Sequence, residues 1–132
     1  MIDVENEIYT LLATAIRNAY EGINVQSTIT YSPSEFPTVC IEEIDNFSVS
    51  ATRDSASNEN FVRVSYEVTV YSNKVPGGKQ ECKEILDVAD TKLQELGFTR
   101  MSKNFLQNIS NESRMVARYT ATIGKDSKIY WG

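Results

Sequence analysis

Residues 61–72, Phe61-Val-Arg-Val-Ser-Tyr-Glu-Val-Thr-Val-Tyr-Ser72, decide how the rest of the chain is read. Val62, Val64, Tyr66, Val68 and Val70 share one side of a two-residue repeat; Arg63, Ser65, Glu67, Thr69 and Tyr71 share the other. β-Branched and aromatic residues suit a pleated surface, and strict alternation predicts a strand with one buried and one wetter face. The stretch therefore predicts a central strand of an antiparallel or mixed sheet.

Working outward, two helices flank this strand. Val4, Ile8, Leu11, Leu12, Ala15 and Ala19 recur at three- and four-residue steps and predict a helix over 4–20, with Asp3 as N-cap and Gly22 as its stop. Cys82, Ile85, Leu86, Ala89, Leu93 and Leu96 predict a second helix over 79–96, started after the breakers of KVPGG and stopped at Gly97. Extended patterns fill the remainder. Residues 24–31 read as a strand, and 38–44 as another after the proline-bearing SPSEFP. Phe47, Val49 and Ala51 continue the alternation out of phase with Ile44, which predicts a bulge or bend near Asp45 and Asn46. Residues 98–103 form a weaker strand candidate, 115–123 a clear one, and 129–131 a short closing strand. Two long polar loops are expected, a hairpin tip over 52–60 and a second loop over 104–114.

The expected fold is α+β: a single domain over 1–132, with an antiparallel or mixed sheet of about five to six strands and two helices packed on one face, in the order α-β-β-β-α-β-β. A chain of 132 residues is long enough for one core, and its 41% hydrophobic and 23% charged content suits a globular protein. No apolar run approaches a membrane span. The acidic start MIDVENEIYT lacks the basic and apolar regions of a secretory signal, so synthesis in the cytoplasm without export is expected.

A net charge of −5, with Lys and Arg scattered, argues against a nucleic-acid footprint. The chain has no histidine, which removes Ser-His-Asp and Cys-His catalysis and imidazole metal sites. Cys40 and Cys82 form no CxxC and read as two buried free thiols, with a disulfide as the alternative. The one glycine pair, Gly77-Gly78, lacks the further glycines of a phosphate or dinucleotide loop. Glu42, Glu43 and Asp45 read as a solvated strand edge rather than as acid–base groups. Glu81, Glu84, Asp87 and Asp90 read as a solvated helix face rather than as a cation site. No catalytic residue, cofactor or metal is expected.

Taken in order, FPTVCIEE (36–43), ENFVRVSYEVTVYSNKVPGGK (59–79), LGFTR (96–100), RYTATI (118–123) and KIY (128–130) resemble the tail terminator, or tail completion, proteins of long-tailed bacteriophages and prophages. The resemblance implies an α+β subunit of a ring, expected to be a hexamer. Such a ring caps the head-proximal end of the tail tube, ends tube polymerisation and joins tail to head without catalysis. It also implies a tail tube protein and a head-completion or neck protein as partners, no membrane, assembly in the host bacterial cytoplasm and a final place in the virion neck. In such a ring the two polar loops would be contact arms, with Arg53, Asp54, Glu59, Asn60 and Arg114 as candidate interface residues. Competing readings are another neck or head-closure component, the cap of a phage-derived contractile particle, or a monomeric module that binds peptide by strand addition.

Overall fold

A computed structural model of the chain describes residues 2–28, 33, 35–49, 61–107, 112–124, 126 and 129–131. In chain order the elements are α1 (Glu5–Ala19), β1 (Asn24–Gln26), β2 (Thr38–Ser48), β3 (Phe61–Ser72), α2 (Gly78–Leu96), β4 (Thr99–Gln107), β5 (Ser113–Gly124) and β6 (Ile129–Trp131). The sheet runs β1-β2-β3-β5-β4, with β6 also paired to β5. β1 lies parallel to β2, and every other pairing is antiparallel. The α+β class and the element order expected from the sequence are both present, and β3, the 61–72 stretch, is the middle strand.

The alternation within β3 becomes a layer of core. Val62, Val64, Tyr66, Val68 and Val70 are buried opposite Ile123, Ala121, Tyr119, Ala117 and Met115 of β5. Val39 and Ile41 of β2 extend the layer. Both helices close this face. α2 contributes Cys82, Ile85, Leu86, Ala89 and Leu93, as its periodicity predicts. The buried stripe of α1 is Val4, Ile8, Leu12, Ala13 and Ile16; the expected Leu11 and Ala19 are exposed. Four-residue steps through Ile8, Leu12 and Ile16 bring larger side chains inward than the Leu11–Ala15–Ala19 line would. Asp3 does meet the helix start, its Oδ1 accepting the Glu5 amide at 3.0 Å, although Val4 holds the cap position.

Close approach explains the glycine that opens α2. A Cβ on Gly78 would lie 2.6 Å from Ser113 Oγ, so only glycine lets the helix start this near to β5. The register of β2 on β3 shifts between Glu43 and Asp45, which places the expected bulge at Ile44. A second bulge, at Met101, interrupts β4 against β5.

Three expectations change. Residues 104–114 are not one long loop. β4 runs on to Gln107 and β5 begins at Ser113, because Asn104, Phe105 and Leu106 pair with Val116, Met115 and Arg114. Phe105 packs against the core, with the Lys79 ammonium 5.0 Å from its ring centre. Tertiary pairing outweighs the low strand preference of Asn and Gln here. Next, the strand expected over 24–31 is a β-strand only at 24–26, with 29–32 outside the described residues. Finally, the wetter face of β3 is not wet along its whole length: Thr69 and Tyr71 are buried, as are their β2 neighbours Cys40 and Thr38.

Candidate functional site

Of the five interface residues expected from the sequence, Arg53, Asp54, Glu59 and Asn60 lie outside the described residues. Arg114 is not on a loop tip. It is the second residue of β5, flanked by Tyr71 on β3 and Leu106 on β4 and half-buried. Its Nε is buried without a hydrogen-bond partner among the described residues. The reason is the length of β4 and β5, whose ladder reaches Gln107–Ser113 and draws Arg114 into the sheet.

Several ionisable groups elsewhere help to hold the fold. A cleft of about 290 Å³ between α2 and β4 is walled by Gln80, Lys83, Asp87, Asp90, Arg100 and Lys103. At its floor Asp90, expected on a solvated helix face, is instead buried. Its Oδ1 accepts from Tyr119 Oη at 2.5 Å and from Arg100 Nη1 at 3.0 Å, and its Oδ2 accepts from Gln94 Nε2 at 2.7 Å. Burial, and then the bond to Asp90, push the Tyr119 phenol above its ordinary range, so it stays a donor. Glu81, from the same row, accepts from Ser72 Oγ at 2.6 Å, whereas Glu84 and Asp87 are exposed as expected.

Cys82 and Cys40 form no disulfide and are buried on opposite faces of the sheet. The Cys82 thiol donates to the carbonyls of Val70 at 3.5 Å and Ser113 at 3.6 Å, tying α2 to both central strands. Burial first, and then Glu81, push its pKa up to about 12, which suppresses thiolate chemistry. Tyr66 donates to Glu43 at 3.3 Å, and the Glu43 carboxyl is raised by burial and then by Glu5 and Asp3. Among the described residues no three Cys, Asp or Glu side chains gather as a metal site.

The surface that stands out is the sheet's perimeter. β1 covers β2 only from Thr38 to Cys40, so among the described residues no strand pairs the outer side of β2 beyond that point. β4 ends the other side, with no described strand on its outer edge. Large apolar side chains collect on these two strands: Ile44 (39% exposed) and Phe47 (52%) on β2, Met101 (65%) and Leu106 (41%) on β4. Among the described residues only Leu11 and Val75 are comparably exposed apolar side chains elsewhere.

The two edges differ in charge. β2 carries Glu42, Glu43 and Asp45; β4 carries Arg100 and Lys103. The contrast extends through the chain, because residues 1–52 hold eight acidic side chains and one basic, Arg17, while 53–132 hold ten acidic and twelve basic. Sequence reading placed Glu42, Glu43 and Asp45 on a strand edge, which is where they lie, with Glu42 and Glu43 half-buried and Asp45 exposed. It missed Phe47, Met101 and Leu106 as exposed groups, since alternation marks apolar residues for burial. Only the phase break at Ile44 signalled an exception.

Comparison with known protein families and with curated proteins finds no match. No helix among the described residues is long and apolar enough to cross a membrane.

Proposed function

We propose that this chain is a structural assembly subunit of the tail-terminator kind. Six copies would form a ring on the head-proximal end of a bacteriophage tail tube, ending tube growth and presenting a surface to a head-completion or neck protein. It would assemble in the host cytoplasm and remain in the virion neck, performing no catalysis. The observation that carries this reading is the placement of Ile44 and Phe47 on one outer strand and Met101 and Leu106 on another. Two unlike adhesive surfaces on opposite sides of a subunit favour head-to-tail contacts, which close into rings or extend as filaments. The ordered resemblance of residues 36–43, 59–79, 96–100, 118–123 and 128–130 to tail terminators selects the ring.

The test is the state of the purified protein. Light scattering and negative-stain microscopy should find rings, growing with concentration, that bind the end of a tail tube. Shortening residues 52–60 should reduce assembly more than it lowers the melting temperature. A monomer at every concentration that binds no tube would overturn the reading. It would favour instead a module that adds a peptide strand to the open β4 edge.

A further inference from the structure

We infer that neighbouring copies meet by charge. The acidic start of α1 in one copy, with Asp3, Glu5 and Glu7, lies against the cleft between α2 and β4 in the next, where Lys83, Arg100 and Lys103 receive its carboxylates. This rests on the ring reading above and specifies its contact, which is made by side chains and needs no backbone pairing between copies.

The acidic surface is uncompensated within its own part of the chain. Asp3, Glu5 and Glu7 are all exposed. Glu43 of β2 stands beneath them, its carboxyl raised by burial first and then by Glu5 and Asp3. Arg17, the one cation of residues 1–52, lies in the last turn of α1, at the far end from these acids. Asn46 Nδ2 donates to the Ile2 carbonyl at 2.9 Å and pins this end of α1 to β2, so the carboxylates are presented from a fixed place.

The cleft holds the complementary charge. Lys79 sits over Phe105 and Asp90 binds Arg100, so α2 runs antiparallel to β4. The helix from Lys79 to Lys83 and the strand from Phe105 to Lys103 each advance about 6 Å, which sets Lys83 and Lys103 at one level across the cleft. Both are exposed, and among the described residues neither has an ion-pair partner. Of the carboxylates in the wall, Asp90 is taken by Tyr119, Gln94 and Arg100, and Glu84 accepts from Gln80 Nε2 at 3.1 Å; Asp87 is exposed. A carboxylate entering between Lys83 and Lys103 relieves the opposition of two like charges.

Strand registry puts the two surfaces at one height. Glu43 is opposite Tyr66, Tyr66 opposite Tyr119 and Tyr119 opposite Arg100, a single rung across the sheet. On one face of that sheet α1 lies over β2 and α2 over β5 and β4. A rotation about an axis parallel to the strands keeps both height and face, so it carries the acidic end of α1 to the mouth of a neighbour's cleft. Joining like surfaces instead would set Asp3, Glu5 and Glu7 against themselves, or Lys83 and Lys103 against themselves. Like charges brought together in this way are disfavoured, so the head-to-tail contact is selected.

The experiment treats an equal mixture of ordinary and isotope-labelled chains, assembled at low salt, with a water-soluble carbodiimide, which joins a carboxylate to a touching amine as an amide. Peptide mass spectrometry should find mixed-isotope cross-links from Lys83 or Lys103 to Asp3, Glu5 or Glu7. Lys83→Glu combined with Lys103→Glu should weaken association about tenfold, and adding Glu5→Lys with Glu7→Lys in the same chain should restore it. All four side chains are exposed, and circular dichroism melts verify that the variants fold. The cross-link in the native chain depends on no variant. Rings that form without such a cross-link, or that are unchanged by the double reversal, would overturn this contact and leave the ring standing. A chain that stays monomeric under all conditions would overturn both.

Discussion

Replacing Asp90 with alanine removes the acceptor on which three side chains from three elements converge. Tyr119 is fully buried on β5, and its hydroxyl donates to Asp90 at 2.5 Å. Stranding a buried hydroxyl costs about 1–3 kcal/mol. Arg100 is different: its side chain is 42% exposed and can turn to water, so the loss there is about 0–1 kcal/mol. Gln94 is exposed on the helix surface and adds little. The variant should therefore lose about 1–4 kcal/mol, and for a domain of this size the melting temperature should fall by about 4–15 °C. Asp90→Asn retains an oxygen for Tyr119 and should cost about 1 kcal/mol. The decisive measurement is a double-mutant cycle by urea denaturation with Tyr119→Phe. If the stranded hydroxyl is the main loss, Asp90→Ala should cost about half as much when Tyr119→Phe is already present. A coupling below about 0.5 kcal/mol would refute the account and leave the helix surface, not the buried bond, as the seat of the effect.

The buried thiol gives a pH-dependent effect. Its pKa rises from 9.0 to about 12 on folding, so protonated Cys82 stabilises the fold below pH 9, and that stability is lost as pH climbs towards 12. The stability gap between the native chain and Cys82→Ala should narrow by about 2 kcal/mol between pH 7 and pH 10.5, read from urea midpoints. Glu43 is also raised, by burial first and then by Glu5 and Asp3, so its ionisation opposes folding as pH rises through the carboxylate range. Glu43→Gln, which keeps an acceptor for Tyr66, should raise the melting temperature at pH 7 and leave it unchanged at pH 3, where the native carboxyl is already neutral. Val68→Ala, at the centre of the buried face, should cost about 2–4 kcal/mol, against less than about 0.5 kcal/mol for Ser65→Ala on the other face, both by thermal melts.

The core was legible because its pattern is local. Val62 to Val70 and Met115 to Ile123 alternate without interruption, and α2 repeats at helical spacing, so each element declares its buried side without its partners. The Ile44 bulge was legible for the same reason, as a break in phase. Residues 104–107 were not, because their extended state depends on pairing with Ser113 to Val116 of β5, a partner that no local pattern names. Tyr71 and Cys40 lie on the face away from the helices and are nonetheless buried, a property of what the whole chain places over them and not of alternation. Asp90 was read as one of four carboxylates stepping along α2; spacing cannot tell which of them meets Tyr119 and Arg100. The candidate interface was least legible of all, because edge position depends on strand order. β4 becomes a perimeter strand only once β5 inserts between β3 and β4, and on the other side the perimeter is set by the short β1, which pairs with β2 only over Thr38–Cys40.

That strand order would also let an exposed perimeter remain compatible with the proposed ring. Apolar side chains on an open edge recruit any strand that approaches, and pairing between identical edges leads to aggregates that no geometry limits. Acidic residues on β2 and basic residues on β4 penalise pairing of like edges while leaving the unlike pair favourable. In the proposed ring each copy would present unlike surfaces to its two neighbours, and growth would have a single direction. Were copies added edge to edge in the proposed ring, the right-handed twist between neighbouring strands would turn each by a fixed amount, so that the sheet curved instead of extending flat. Whether the curve closes depends on how far each junction turns the next copy, and the bulges at Ile44 and Met101 sit on the strands that set that turn. In the proposed ring, residues that read in isolation as irregularities of these strands would share one task, which is to limit an edge that could polymerise without end.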